Sequence, residues 1–466
     1  MGKLHLTALG AALCVVSGLA HADDSQAQQH YRTAVRHLDN GMTVIVEEDH
    51  RLPRIAARIQ YDVGEAAVAS TSPATATLTT YLMLTATEHV PPGDFYRLLA
   101  SAGATGVTDS TWSAGIAEAV TVPSDRIALP LWLWSDQMGF FDGSVDDARL
   151  AAQRAKLGHQ RRTGIEGAPL SRLDQFVSDE MWPAGHPYHT SLLTPEDVDR
   201  VDRAAVVAFH DRWITPRHAT LVLVGDVTTA DAFSLAERYF GSIPGGPTDA
   251  HVTVPPDAAL SGETQLDVAA DVSHARISVH WRTPRLLTLP DAQLDVVARL
   301  LNGGRAAWLY WKLVDEAKVA TSVTARQRSG AYGSQFVIEV EAAGTRTAAE
   351  LLTAFDAAMD AARARAAQQY EIEGAAYETL IDRVLALERA PSRATEYAKF
   401  STLVGTPDYF AHDFRRYERI SPAVVSSTME TWLPRDRRIV VLVTPTPHVA
   451  AGGEKKARRF VPARSP

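Results

Sequence analysis

Ala76-Thr-Leu-Thr-Thr-Tyr-Leu-Met-Leu-Thr-Ala-Thr-Glu-His-Val-Pro-Pro-Gly-Asp-Phe95 is the stretch whose reading decides the fold. Its first half predicts a helix over about residues 74–84. The Pro91-Pro92 pair stops helical winding, because proline lacks the main-chain N–H and its ring crowds the preceding turn. Gly93-Asp94 then opens a second helical pattern, with Phe95, Leu98 and Leu99 at i, i+3, i+4 spacing. Serine and threonine are frequent between Ser70 and Thr87, yet no acid–base partner lies nearby in sequence, so a hydrolytic triad has little support.

Upstream, Lys3, an apolar run from Leu4 to Ala20 and an Ala20-His21-Ala22 end form a secretory leader, with cleavage expected before Asp23. The single cysteine, Cys14, lies inside this leader, so the mature chain is expected to carry no disulfide. With 466 residues, 46% hydrophobic and 22% charged, the chain is long and apolar enough for more than one globular domain. A formal charge of −9 and no basic stripe argue against nucleic-acid binding. No later segment has the ~18–20 uninterrupted apolar residues of a membrane span.

The run from His37 to Glu47 contains an Asn40-Gly41 turn and a β-branched stretch, and 55–63 gives another; these predict neighbouring antiparallel strands. Residues 103–119 predict a strand. A Trp-rich helix follows over 129–141; Trp132 and Trp134 stand two apart and cannot share one face, which implies burial on several sides. A charged helix spans 146–162. Thr194 can cap a helix with Pro195 in its first turn, carrying Val198, Val201, Val206 and Phe209 towards Trp213. The breaker-rich stretch from Pro244 to Pro256 reads as a linker. Beyond it the pattern repeats: Trp432-Leu-Pro-Arg435 before an apolar strand mirrors Trp213-Ile-Thr-Pro-Arg217 before 221–224. The expected organisation is leader 1–22, first domain 23–245, linker 246–262 and second domain 263–466.

The segment Thr85-Ala-Thr-Glu-His-Val-Pro-Pro-Gly-Asp-Phe95 resembles the one that follows the zinc helix in the pitrilysin/insulinase family, in the branch of processing-peptidase-like proteins. The opening strand 42–48, the loop Met181-Trp-Pro-Ala-Gly-His-Pro-Tyr188 and Leu300-Leu-Asn-Gly-Gly-Arg-Ala-Ala-Trp-Leu-Tyr310 resemble further parts of that family. The resemblance implies an α+β fold of two homologous domains, each an antiparallel-rich sheet covered by helices, forming a clasp around a cavity.

It also fixes a register. The family's HxxEH falls on Thr77-Leu78-Thr79-Thr80-Tyr81, and its third ligand, a glutamate, falls on Gln160. A zinc peptidase needs two imidazoles four apart on one helix face, and a glutamate base acting on the metal-bound water. Thr77, Thr80, Tyr81 and Gln160 cannot supply that borderline-soft donor set, so no catalytic zinc and no other cofactor is expected. His159, His186 and His189 read as loop or surface histidines. The family's substrate-holding edge pattern falls on Val107 to Ser113, where Ser110 and Thr111 remain as substrate-binding candidates; Tyr310 is a further one. The family's Arg/Tyr pair across the cleft falls on Val314 and Thr321. Gly303, Gly304 and Arg305 lack the spacing of a phosphate loop.

The reading that follows is an exported, catalytically inactive peptidase homologue, periplasmic or secreted, acting as the non-catalytic partner of an active family member or by self-association. The rival readings are a stand-alone protein that binds extended peptides and a metallopeptidase with non-standard ligands. Hydroxyl and amide groups of Thr77, Tyr81 and Gln160 are expected to hydrogen-bond to one another or to water.

Overall fold

The computed structural model describes residues 32–446 and 458–460, apart from 69–71, 168–169, 171–172, 190–192, 249, 251, 256–258, 303 and 305–306. The expected leader at 1–22, part of the linker, Gly303 and Arg305 lie outside the described residues. Strands β1 (Thr33–His37), β2 (Thr43–Glu48), β3 (Arg54–Tyr61), β4 (Thr105–Trp112), β5 (Gly115–Pro123) and β6 (Ala219–Gly225) form one sheet in the order β1-β2-β6-β3-β5-β4. A second sheet has the order β12-β7-β11-β8-β10-β9, built from β7 (Thr264–Ala270), β8 (Arg276–Thr283), β9 (Ala320–Arg328), β10 (Ser334–Ala342), β11 (Ile439–Pro445) and β12 (Arg458–Phe460). In each sheet one pair is parallel, β2 with β6 and β7 with β11, and the other pairs are antiparallel. The fold is thus α+β with two domains of matching topology. Among the described residues, no helix or strand lies between Phe240 and Thr264.

The first domain contributes helices α1 (Ala74–Thr85), α2 (Asp94–Ser101), α3 (Ala128–Gly139), α4 (Asp147–Gly167), α5 (Leu173–Met181), α6 (Pro195–Asp199), α7 (Arg203–Trp213) and α8 (Thr229–Phe240). The second contributes α9 (Leu289–Asn302), α10 (Ala348–Ala364), α11 (Gln369–Leu387), α12 (Ala390–Val404), α13 (Phe410–Arg415) and α14 (Pro422–Trp432).

The domains exchange cover. Strand β6 is buried along its whole length, so its sequence is a continuous apolar run rather than an alternating one. Leu221 and Leu223 face the first domain's own helices. Val222, Val224 and Ile45 instead meet Ala394, Tyr397, Ala398 and Phe400 of α12 from the second domain. Reciprocally, Val177 and Met181 of α5, with Trp182, cover Ile439, Val441 and Val443 of β11. Between the domains lies a cavity of about 540 Å³ lined by Asp62, Trp213 and His218 from one side and Arg285, Tyr332 and Thr402 from the other.

The Gly185-His186-Pro187-Tyr188 loop fastens this arrangement. His186 stacks on Trp182 at 4.3 Å between centroids and donates through Nε2 to the Tyr332 carbonyl at 3.2 Å, while Tyr332 N donates to Tyr188 Oη at 3.2 Å. The His189 ring donates through Nδ1 to the Trp182 carbonyl, so both histidines serve the clasp. Gly333 has φ +149°, and a Cβ there would sit 2.5 Å from the Trp182 ring. Gly333→Ala is therefore expected to destabilise the chain by roughly 1–3 kcal/mol, read from chemical unfolding. An unchanged midpoint would show that Trp182 is not seated as described.

The fold departs from the sequence expectations in four places. β2 and β3 are not neighbours, because β6 inserts between them and pairs with both. Residues 103–119 form not one strand but most of the β4–β5 hairpin. Thr194 does make a capping box, yet the helix it starts ends at Asp199. Asp202 caps a new one by accepting from Ala205 N at 2.8 Å, the competition with helical continuation that a short carboxylate provides. Finally, α12 lacks any sequence expectation; its inward face includes Arg393, a charge that hydrophobic periodicity does not anticipate.

Candidate functional site

Helix α1 is packed against α4, α7, the Glu65–Val68 turn and β4, and only Tyr81 and Thr85 keep partial exposure. Several of its threonines satisfy their hydroxyls on the helix itself: Thr79 Oγ1 donates to Thr75 O at 2.8 Å, Thr80 Oγ1 to Ala76 O at 3.1 Å and Thr85 Oγ1 to Tyr81 O at 2.7 Å. Such back-bonding lets polar side chains sit in an apolar interior at little cost. The segment after the helix is held by Asp136 of α3, which takes hydrogen bonds from Thr87 Oγ1 and from His89, whose Nδ1 lies 2.5 Å from its Oδ1. Gly93, at φ +84°, then admits α2, since that backbone conformation favours glycine.

Thr77 does not bond to Tyr81 or Gln160. Its Oγ1 donates to Glu65 Oε1 at 3.2 Å, and Glu65 is the site residue that sequence reasoning missed. It sits in a short turn between β3 and α1, where no periodicity or motif marks it. Burial pushes the Glu65 carboxyl upward, against the hydrogen bond from Thr77 and the positive charge of Arg161. Thr80 Oγ1 lies 3.0 Å from Thr111 Oγ1, tying α1 to the edge strand. Tyr81 has Lys156 Nζ over its ring at 5.3 Å.

Helix α4 runs antiparallel beside α1. Gln153 Nε2 donates to Thr85 Oγ1 at 3.1 Å, Lys156 meets Tyr81, and Arg161 acts on the Glu65 that holds Thr77. Gln160, one turn beyond Lys156, is exposed at the Thr77 end of this pairing, and no hydrogen bond joins it to α1 among the described residues. His159 beside it is exposed as well.

Among the described residues strand β4 pairs only with β5, leaving its other main-chain edge open. Ser110 is exposed on it, whereas Thr111 is half-buried towards Thr80. The hairpin tip is pinned to the Glu65 turn by Ala66 N donating to Ser113 O at 3.1 Å. Tyr310 is half-buried in the second domain, in the short Trp308–Tyr310 helix, and among the described residues no hydrogen bond or ring contact links it to α1. Val314 is apolar, and Thr321 Oγ1 is 3.4 Å from the Glu341 carbonyl.

A zinc ion does not fit this face. Two threonine hydroxyls, a phenol and one carboxyl replace the imidazoles and carboxylates that hold such a dication. Among the described residues no three His, Cys, Asp or Glu side chains converge on α1. What the arrangement offers is an open strand edge beside hydroxyl groups and a buried carboxyl.

Residues 200–376 match the family described as Peptidase M16 inactive domain. Over 321 residues the chain is 23% identical to the Zinc protease PqqE of Helicobacter pylori, covering 68% of this chain and 70% of that protein. Among solved structures, a protease from Helicobacter pylori shares the fold with a TM-score of 0.80 at 17% identity, over 89% of this chain and all 100% of that one. The periplasmic protease PqqL from Escherichia coli does so with a TM-score of 0.73 at 15% identity, over 89% of this chain and 48% of that one.

Proposed function

We propose, from the premise that the chain is a homologue of the M16 peptidases, that it is an exported, non-catalytic subunit that pairs with an active zinc peptidase of the same family. The carrying observation is the face of α1, where Thr77 is hydrogen-bonded to Glu65 and Thr80 to Thr111, and where, among the described residues, no three His, Cys, Asp or Glu side chains gather. The chain would hold no catalytic zinc, and its companion would supply the HxxEH chemistry. This chain would contribute half of a chamber and the open β4 edge, with Ser110 and Thr111 beside the bound peptide and Tyr310 facing it from the second domain. Because Val314 and Thr321 stand where the resemblance puts the Arg/Tyr pair, its contribution is gripping and stabilising rather than a catalytic assist. Export is supported by the apolar leader, and a periplasmic address by the likeness to a periplasmic protease. No described helix is long and apolar enough to cross a membrane.

The cavity of about 540 Å³ between the domains favours one alternative, a stand-alone protein that captures extended peptides without cutting them. Purification from the native host separates the two. The subunit reading expects a stable companion with an intact HxxEH; recovery only as a monomer or homodimer would overturn it in favour of the stand-alone binder.

A further inference from the structure

We propose that Asp142, His210 and Asp211 form a binding site for a first-row divalent cation such as Zn²⁺ or Mn²⁺. Asp142 opens the Asp142–Ser144 turn after α3, and His210 and Asp211 lie in the last turns of α7. One ligand atom from each falls within 4.8 Å of the others. A metal–ligand distance of ~2.0–2.2 Å sets neighbouring ligands about 3–3.5 Å apart, which rotation of the two exposed carboxylates can reach.

The decisive feature is the orientation of His210. Its ring is buried and stacked on Phe141 with centroids 4.4 Å apart. Nε2 lies 2.9 Å from the Gln137 carbonyl, which can only accept, so the neutral ring carries its proton there and Nδ1 presents a lone pair. That lone pair is 3.4 Å from Asp211 Oδ1, one acceptor facing another. The contact is repulsive unless a cation or a second ring proton lies between them. A ring N–H fixed on a carbonyl with the opposite nitrogen aimed at carboxylates is the arrangement that orients metal-binding histidines.

Among the described residues no Lys or Arg side chain forms an ion pair with the Asp142 or Asp211 carboxylate, although the charge of Arg203 acts on the Asp142 carboxyl. Arg203, the adjacent guanidinium, donates to the carbonyls of Val145 at 2.7 Å and Asp142 at 3.3 Å. One imidazole nitrogen and two carboxylate oxygens, completed by water, suit the borderline divalent metals. The ion would join α7 to the turn after α3 and contains no ligand from α1, so this site is independent of the functional reading above.

The test is titration of the EDTA-treated, purified mature chain with Co²⁺ and Zn²⁺, following the cobalt absorption bands and the unfolding temperature. One ion per chain and a raised unfolding temperature are expected, both lost in Asp142→Asn and Asp211→Asn, which alter exposed side chains and leave the core intact. Glu65→Gln and Gln160→Ala are expected to keep the binding. Absence of saturable binding in the unaltered chain would overturn the proposal. So would binding that survives the Asp142→Asn/Asp211→Asn double change, or that disappears with Glu65→Gln, since the latter assigns the ion to α1.

Discussion

Replacing Arg393 by methionine is expected to lower the folding free energy by about 3–5 kcal/mol, the cost of leaving a buried charge without its partner. Arg393 of α12 is fully buried on the first sheet, with Nε 3.0 Å from both oxygens of Glu47 and Nη2 2.5 Å from Asp49 Oδ2. Tyr397 Oη donates to Glu47 Oε2 at 2.6 Å, and Arg393 Nη1 donates to the Leu387 carbonyl at 2.9 Å. Arg51 and Arg393 hold the Asp49 carboxyl well below the usual carboxylate range, with Arg51 the larger influence. The network spans the two domains, so its loss should loosen the docking of α12 as well as lower stability. Chemical unfolding of Arg393→Met and of the Glu47→Gln/Arg393→Met pair checks this: the double change should recover part of the loss, because neither charge is then stranded. A single-variant loss below about 1 kcal/mol, the scale of an exposed pair, would show that the network is not buried as described.

Glu118→Gln should stabilise the protein increasingly as pH rises. Glu118 of β5 is fully enclosed, and burial, reinforced by Asp109, pushes its carboxyl up to about 8 despite a 2.9 Å hydrogen bond from Trp134 Nε1. Its Oε1, Tyr61 Oη and Gln137 Oε1 are buried without a hydrogen-bond partner among the described residues. The folded value lies above the ordinary 4.5, so below pH 4.5 both folded and unfolded forms are protonated and no penalty exists. Between 4.5 and about 8 the unfolded chain ionises while the folded one does not, and stability falls with rising pH; above about 8 the penalty is constant. Its full size is roughly 3–6 kcal/mol. Urea unfolding at pH 5, 7 and 9 should therefore show the variant gaining on the unaltered protein at each step. Parallel curves would contradict the enclosed position of Glu118.

The elements whose signals are local were legible in the sequence. Pro91-Pro92 and Gly93 bound α1 and α2, Thr194 makes its capping box, and the Trp–Pro–Arg pairs precede β6 and β11. What escaped depends on residues far apart in the chain. The parallel pairing of β2 with β6 joins Thr43 to Thr220, and no periodicity specifies a partner across that separation. Arg393 reads as an ordinary surface charge until Glu47 and Asp49 are brought to it. The candidate site divides the same way: the α1 positions follow from a contiguous motif, whereas Glu65 meets Thr77 only through the fold. Asp142 and His210 stand on separate elements and carry no shared pattern.

Hydrolysis of an extended peptide by the purified chain, supplied with zinc and compared with the chain plus any HxxEH-bearing protein that co-purifies with it, decides whether this chain is itself catalytic. A non-catalytic subunit gives no cleavage alone at any zinc concentration, and cleavage when a companion bearing HxxEH is present. Cleavage by the chain alone, abolished by Glu65→Gln or Gln160→Ala, would contradict that role.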